Sequence, residues 1–139
     1  MNIKRVHKCF SIAKNASLES TFKQHHLGAA IFYKGTLLAT GHNSNKTSPV
    51  QKHYNKLRNF DVNASYAINS LHAECACLNK VRYLEIDFSK VSIFVYREHK
   101  NGTKALARPC PACMKYICEL GVKNLYYTTE NGFAHEVIE

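Results

Sequence analysis

Apolar residues recur along the chain with two different spacings, and their order predicts alternating helices and strands. Spacing of three to four residues predicts helices over 3–16, 72–81 and from about 113 to Gly121. Short apolar runs predict strands over 27–32, 37–40, 91–96, 122–128 and 133–138. Because helices are inserted between strands, we expect an α/β protein with three layers, α/β/α, around a mixed five-stranded sheet.

Turn signals connect several of these strands. The stretch 33–36 contains Lys34-Gly35 between the first two strands, and Asn131-Gly132 separates the last two. Both patterns indicate β-hairpins, the second at the C-terminal end of the chain. Residues 43–70 form a long polar connection, in which Tyr54 belongs to a weak helical spacing. A connection of that length in a small protein is typically functional or flexible.

No repeat, low-complexity tract or linker divides the chain, so we expect residues 1–139 to form one domain. The net charge is +9, and +8 of it lies in residues 1–72, which hold ten basic against two acidic residues. A basic face of this size favours polyanions or phosphorylated small molecules. A solvated surface that keeps the protein soluble explains the same charge equally well.

The chain contains six cysteines, which could pair only in an oxidising compartment. Residues 1–10 are interrupted by four basic residues, so they lack the apolar run of a signal peptide. No apolar run reaches the roughly 20 residues that cross a bilayer. We therefore expect reduced thiols in a cytoplasmic protein that does not enter a membrane. A mitochondrial transit peptide is a weaker interpretation of the basic start, which a first helix explains better.

Two short sequence motifs contain the candidate catalytic and metal-binding residues. The first is His72-Ala73-Glu74, and the second, Pro-Cys-Pro-Ala-Cys over 109–113, contains Cys110 and Cys113. Two cysteines spaced i, i+3 at the start of a helix direct both sulfurs to one side, which suits a tetrahedral ion. With His72 as a third ligand, one position stays open for water. Glu74, not bound to the metal, can then move that water's proton.

Each motif has a less specific interpretation. His-x-Glu is common by chance, and Cys-x-x-Cys also occurs in structural zinc sites and dithiol redox pairs. A redox pair is expected after the first strand of a thioredoxin-like fold, whereas this motif follows the third. A closed structural site needs a fourth protein ligand, and the helix spacing of the remaining candidates indicates buried apolar side chains instead: Cys75, Cys77 and Cys118. A structural site also leaves Glu74 unexplained.

With both motifs in this order, the chain resembles the zinc-dependent cytidine deaminase superfamily, whose signature is His-x-Glu followed by Pro-Cys-x-x-Cys. The resemblance in element order covers residues 3–139. It implies one Zn²⁺ per chain, held by His72, Cys110 and Cys113, with Glu74 as the general acid/base. It also implies a cytidine deaminase-like fold and, because family members generally pair or form tetramers, a homo-oligomer.

The same resemblance implies the substrate contacts. Asn43, in Gly41-His42-Asn43, matches a residue that commonly hydrogen-bonds the sugar or base, although a turn residue after a strand explains it too. The backbone N–H groups of Ala73 and Cys110 are expected to contact the base. The length of the 43–72 connection is similar to that of deoxycytidylate deaminases. The terminal hairpin is similar to that of free-nucleoside deaminases, which usually have cysteine where this chain has His72.

The leading hypothesis is hydrolytic deamination of cytosine in a free nucleoside or nucleotide, with the connection's cations as phosphate ligands or as solvated groups: Lys46, Lys52, His53 and Lys56. The second is editing of cytosine or adenine in RNA or single-stranded DNA, supported by the charge and by aromatic residues that could stack on bases: Phe22, Tyr33, Tyr54 and Phe60. The third is a non-catalytic zinc-stabilised binding module. The choice among cytosine, adenine and a modified base depends on pocket shape, which the sequence does not give.

Overall fold

A computed structural model describes residues 2–21, 26–45, 48–55 and 71–138. The helices are α1 Ile3–Ser17, α2 Pro49–Asn55, α3 Ala73–Asn79 and α4 Pro111–Leu120, with a 3₁₀ turn at Phe88–Lys90. The strands are β1 Leu27–Tyr33, β2 Thr36–His42, β3 Val91–Arg97, β4 Asn124–Thr129 and β5 Gly132–Val137. The predicted order of elements is confirmed, and α2 is added to it. This helix lies within the polar connection, where the sequence showed only weak helical spacing.

The five strands form one mixed sheet in the order β2-β1-β3-β4-β5. Strands β3 and β4 run parallel, and the other neighbouring pairs are antiparallel. Lys34 and Gly35 both have positive φ, 50° and 87°, which is the conformation of a type I′ turn in a two-residue hairpin. The C-terminal hairpin of β4 and β5 is also present. The mixed five-stranded sheet and both hairpins are therefore confirmed.

Both faces of the sheet are covered, as the three-layer prediction requires. On one face, Ala30, Phe32 and Phe94 pack with the apolar side of α1. The alternate residues of β1 and β3, such as Ile31 and Ile93, pack with α3 and α4 on the other face. This alternation follows from the two-residue period of a strand. The motif-bearing helices α3 and α4 therefore share one face.

Two glycines allow helices to approach the sheet closely. A Cβ atom at Gly41 in β2 would lie 2.6 Å from the backbone nitrogen of Cys77 and 2.7 Å from the carbonyl oxygen of Ala73. A Cβ atom at Gly28 would clash in the same way with the backbone of α1, at Ala13 and Ser17. The first contact fixes the start of α3 beside the end of β2. No helix in the described ranges is long and apolar enough to cross a membrane.

The cysteines outside the motif differ from one another. Cys75 and Cys77 are buried as predicted, and burial raises the pKa of each thiol to about 12, so both stay neutral. The prediction was wrong for Cys118, which is exposed. The buried face of α4 is formed by Cys113, Tyr116 and their neighbours, and position 118 lies outside it. That residues 1–139 form a single domain stays a prediction.

Candidate active site

Two helix starts bring three metal-ligand side chains together. His72 precedes α3 as its N-cap residue, and Cys110 precedes α4 in the same way, with Pro111 as the first residue of that helix. The Nδ1 atom of His72 lies 3.6 Å from Sγ of Cys110 and 3.3 Å from Sγ of Cys113. The three donor atoms lie within 4.8 Å of one another. The structure thus assembles the predicted ligand set from residues far apart in the sequence.

The spacing of these atoms fits zinc. With Zn–S bonds of about 2.3 Å and Zn–N bonds of about 2.0–2.1 Å, two ligand atoms of a tetrahedral site lie about 3.5–3.8 Å apart. The distances of 3.6 and 3.3 Å from His72 to the two sulfurs are close to that range. Among the described residues, no fourth ligand from a histidine, cysteine, aspartate or glutamate side chain joins these three. Three ligands of this kind leave one position for a water molecule.

The pKa values of the two motif cysteines are shifted in opposite directions. The pKa of the Cys110 thiol is lowered to about 3, first because Cys113 donates a hydrogen bond to its sulfur and further by His72. The pKa of Cys113 is raised well above its usual value by the same hydrogen bond and by burial. The lowered pKa of Cys110 favours the thiolate form, which is the form that binds a metal ion.

Glu74 lies in the first turn of α3, where the sequence required it to be if it shares a pocket with His72. Glu74 is only 3% exposed, and its Oε1 atom has no hydrogen-bond partner in the part of the chain that the structure describes. Burial raises the pKa of the carboxyl group, while His72 opposes the rise. An unpartnered buried carboxylate oxygen is costly for a fold, so it indicates a functional role.

A cavity of about 200 Å³ opens at this group. Its wall includes every site residue predicted from the sequence except the deeper Cys113: Asn43, His72, Ala73, Glu74 and Cys110. Asn43 is 5% exposed and directly follows β2. Its Oδ1 atom accepts hydrogen bonds from the Leu27 backbone, at 2.9 Å, and from the Ser20 hydroxyl. These donors orient the Asn43 amide in the cavity wall.

Two arginines that the sequence did not predict as site residues also line this cavity, Arg97 and Arg108. Arg108 binds Glu136 through Nε at 2.8 Å and Nη2 at 3.2 Å. Arg97, the last residue of β3, has a buried Nε without a hydrogen-bond partner in the described ranges. Its position at the end of a predicted strand indicates a binding residue, because ligands of α/β sheets bind beyond the carboxyl ends of the strands.

Of the residues proposed to stack on nucleic-acid bases, the structure describes Tyr33 and Tyr54. Tyr54 is 6% exposed, and its ring stacks on Tyr116 with centroids 4.7 Å apart. This buried position contradicts its predicted contact with a base. Tyr33 is half-buried at the end of β1, and Lys52 and His53 are exposed on α2. The other residues of these two hypotheses lie outside the described ranges: Phe22, Lys46, Lys56 and Phe60.

A three-layer fold with a His-Cys-Cys group beside a buried glutamate is the arrangement of the zinc-dependent base deaminases. The family model described as "Cytidine and deoxycytidylate deaminase zinc-binding region" matches residues 3–129. The chain belongs to this family. A zinc ion is accordingly its cofactor, and His72, Cys110 and Cys113 can coordinate it.

Solved structures with the same fold are deaminases. The dCMP deaminase of cyanophage S-TIM5 is 26% identical over 93% of this chain and 86% of its own, with a TM-score of 0.64. The cytidine deaminase of Burkholderia pseudomallei is 20% identical over 99% and 93%, also with a TM-score of 0.64. That of Mycobacterium leprae is 22% identical over 94% and 92%, with a TM-score of 0.55. No curated protein sequence matches the chain significantly.

Proposed function

We propose that the protein is a zinc-dependent hydrolytic deaminase that converts cytosine to uracil in a free (deoxy)cytidine nucleoside or nucleotide and releases ammonia. The observation that carries the proposal is Glu74, a buried carboxylate with an unpartnered oxygen in the same cavity as His72 and Cys110. A structural zinc site has no use for such a group. This also argues against a non-catalytic binding module.

The proposed mechanism assigns a task to each part of the site. His72, Cys110 and Cys113 hold the zinc ion, which when bound in such a site lowers the pKa of a water molecule to about 7. Glu74 accepts one proton from water and delivers it to the ring nitrogen of the base. It then accepts the proton of the hydroxyl group that has been added to the base and delivers it to the leaving amine, which departs as ammonia. Burial raises the pKa of Glu74, which makes its carboxylate a better proton acceptor.

Residues around Glu74 are proposed to orient the base. Ala73 begins α3 and Cys110 precedes α4, so their backbone N–H groups belong to helix starts, where the first N–H groups have no partner within the helix. Both residues line the cavity together with Asn43. We assign the two N–H groups to the base, and the Asn43 amide to the base or the sugar.

Arg97 supports a substrate that carries phosphate. Its buried Nε atom lacks a partner in the described part of the chain, whereas the guanidinium of Arg108 is held by Glu136. A buried guanidinium nitrogen without an acceptor is unfavourable until a ligand supplies one. Phosphate oxygens are strong acceptors for arginine. The nucleotide form of the substrate is therefore favoured within this proposal.

The proposal is tested with zinc-loaded protein and its Glu74→Ala variant. Both are incubated with cytidine, deoxycytidine, CMP, dCMP and cytosine-containing single-stranded oligonucleotides, and the products are resolved by mass spectrometry. We expect a gain of about one mass unit on a free nucleoside or nucleotide, only with the unsubstituted protein. Deamination of the oligonucleotide alone, or equal rates for both proteins, contradicts the proposal.

Editing of RNA or single-stranded DNA, on cytosine or adenine, is the second candidate. The excess of +8 in residues 1–72 favours it, and exposed cations of α1, including Lys4 and Lys8, contribute to that charge. Binding driven by phosphates weakens steeply with added salt. If this candidate is right, affinity for an oligonucleotide falls by orders of magnitude between about 50 and 200 mM salt, and deamination of oligonucleotides falls with it. The expected homo-oligomer stays a prediction, which light scattering tests.

A further inference from the structure

The polar connection after β2 contains a buried amide that contacts both halves of the metal site. Gln51 in α2 is 1% exposed. Its Oε1 atom accepts a hydrogen bond of 3.2 Å from the backbone N–H of His72, and its Nε2 donates to Sγ of Cys113 at 3.9 Å. One side chain therefore joins two ligand residues that belong to different helices and different motifs.

The chemistry of the two contacts fixes which end of the amide faces which partner. A backbone N–H can only donate, so it requires the amide oxygen. As a zinc ligand the Cys113 sulfur is a thiolate, which can only accept a hydrogen bond, so it requires the amide NH₂ group. Turning the amide around would place a donor against His72 N–H and an acceptor against the sulfur. Both contacts therefore favour the same orientation, and neither is made at the expense of the other.

Helix α2 is anchored so that Gln51 stays in place. The backbone N–H of Gln51 donates to the Ser48 hydroxyl at 3.2 Å at the start of the helix. Three residues further on, Tyr54 stacks on Tyr116 of α4, and its hydroxyl donates to Glu119 at 2.6 Å. Side chains three residues apart lie on the same helix face. The face that carries Gln51 is thus held against the helix that carries Cys113.

We propose that Gln51 is a positioning residue of the zinc centre, which slows loss of the ion. Its donated hydrogen bond stabilises the negative charge of the Cys113 sulfur and fixes where that sulfur lies, so this ligand is harder to release. Its accepted hydrogen bond fixes the backbone of His72 and thus the position of the imidazole. Partners behind metal ligands commonly act in this way. The inference concerns the metal site and holds whichever base is deaminated.

The test measures zinc release directly. Zinc-loaded protein is mixed with an excess of a chromogenic chelator, and release is followed for the unsubstituted protein, Gln51→Leu and Gln51→Glu. Losing such a partner usually lowers metal affinity about 10–100-fold, and we expect this loss to be seen for Gln51→Leu as zinc release faster by about the same factor. Gln51→Glu keeps an acceptor for His72 but places a second negative group against the Cys113 sulfur. We expect it to release zinc at least as fast as Gln51→Leu.

A spectroscopic measurement separates this role from a general effect on the fold. Cobalt(II) in place of zinc gives a sulfur-to-metal charge-transfer band that depends on the hydrogen bonds to the sulfurs. We expect this band to shift in both Gln51 variants. Tyr54→Phe is the matched control, because it removes the bond to Glu119 and loosens α2 without touching a ligand. It should lower the melting temperature and leave the band unchanged. Lys52→Ala, an exposed change on α2, should alter neither.

The outcomes decide the proposal in either direction. Faster zinc release with a shifted cobalt band in the Gln51 variants, and in neither control, supports it. Release within about twofold of the unsubstituted protein in Gln51→Glu overturns it, even if Gln51→Leu fails to fold, because loss of such a partner has a larger effect. A band that shifts equally in Tyr54→Phe also overturns it, because the effect then belongs to docking of α2.

Discussion

Nδ1 of His72 and Sγ of Cys113 lie 3.3 Å apart although 41 residues separate them along the chain. The first atom is supplied from the start of α3 and the second from the first turn of α4. Both helices lie on one face of the sheet, and each begins at the cavity. The metal site is therefore a product of the packing of two helix starts, and changes in that packing should alter zinc binding.

Replacing Glu74 should separate chemistry from metal binding. In Glu74→Gln the shape is kept but the group can no longer accept a proton, so we expect kcat to fall about 10²–10⁴-fold, the range of general acid–base catalysis. Zinc content should remain at one ion per chain, and the melting temperature should not fall, because a costly buried carboxylate has been removed. Glu85→Gln, an exposed change after α3, is the control and should leave all three values unchanged.

Arg97 should determine the preference for a phosphate-bearing substrate. Arg97→Gln removes the cation whose Nε lacks a partner in the described ranges, so we expect kcat/KM to fall about tenfold or more for dCMP and less than about threefold for deoxycytidine. Arg108→Gln loses the same charge from the same cavity, but its guanidinium is held by Glu136, so the ratio of the two substrates should change little. If Arg97→Gln lowers kcat/KM equally for both substrates, Arg97 does not recognise the phosphate.

Alanine substitutions at Gly41 and Gly28, where helices pack closely on the sheet, separate a loss of stability from a loss of zinc binding. Gly41→Ala places a methyl group 2.6–2.7 Å from backbone atoms of α3, whereas Gly28→Ala places one closer still to the carbonyl oxygen of Ala13 in α1, on the opposite face. We expect Gly41→Ala to cost about 1–3 kcal/mol of unfolding free energy, the usual range for overpacking, and Gly28→Ala to cost more. Only Gly41→Ala displaces the helix that carries His72, so only it should speed zinc release. Chemical denaturation measures the first effect and a chelator assay the second.

A small pH dependence should come from the Arg108–Glu136 pair. The hydrogen bond from Arg108 lowers the pKa of Glu136 below its ordinary value. The ion pair therefore contributes its stability above that ordinary value, near 4.5, and loses it as the pH falls through the lower pKa of the folded state. Because both side chains are partly exposed, we expect only about 0.5 kcal/mol.

Glu136→Gln tests that contribution. Melting temperatures of the variant and the unsubstituted protein should differ slightly at neutral pH and converge in strong acid, where the carboxyl group is protonated in both the folded and the unfolded protein. A difference that grows on acidification would mean that the ion pair acts with the opposite sign.

Much of the fold follows from local patterns that the sequence displays. The two-residue period of the strands, the Lys34-Gly35 turn and the Asn131-Gly132 turn sufficed for the mixed sheet and both hairpins. The pairing of Cys110 and Cys113 also follows from local spacing, since two cysteines at i, i+3 beside a proline favour a helix start with both sulfurs on one side. Such features are encoded within a few residues, which is why they could be read directly.

Other features depend on tertiary contacts and gave no such signal. Gln51 belongs to a polar stretch without a motif, and its role appears only when α2 packs on α4. Tyr54 was expected to contact a base because an aromatic residue in a polar connection resembles a stacking residue, but its ring partner Tyr116 belongs to a distant helix of the chain. Cys118 is exposed, contrary to the prediction, because the buried face of α4 is narrower than the helix spacing of its apolar residues indicates. In each case the position of the side chain depends on residues that are distant in the sequence and meet it only in the folded protein.

The central claim is a zinc ion with three protein ligands and one open position, and X-ray absorption at the zinc edge tests it most directly. The account predicts one ion per chain with two sulfur atoms at about 2.3 Å and two lighter atoms at about 2.0–2.1 Å, one from His72 and one from water. Cys113→Ser should replace one sulfur by a lighter atom. A shell of three or four sulfur atoms would contradict the account, because the site would then be closed to water.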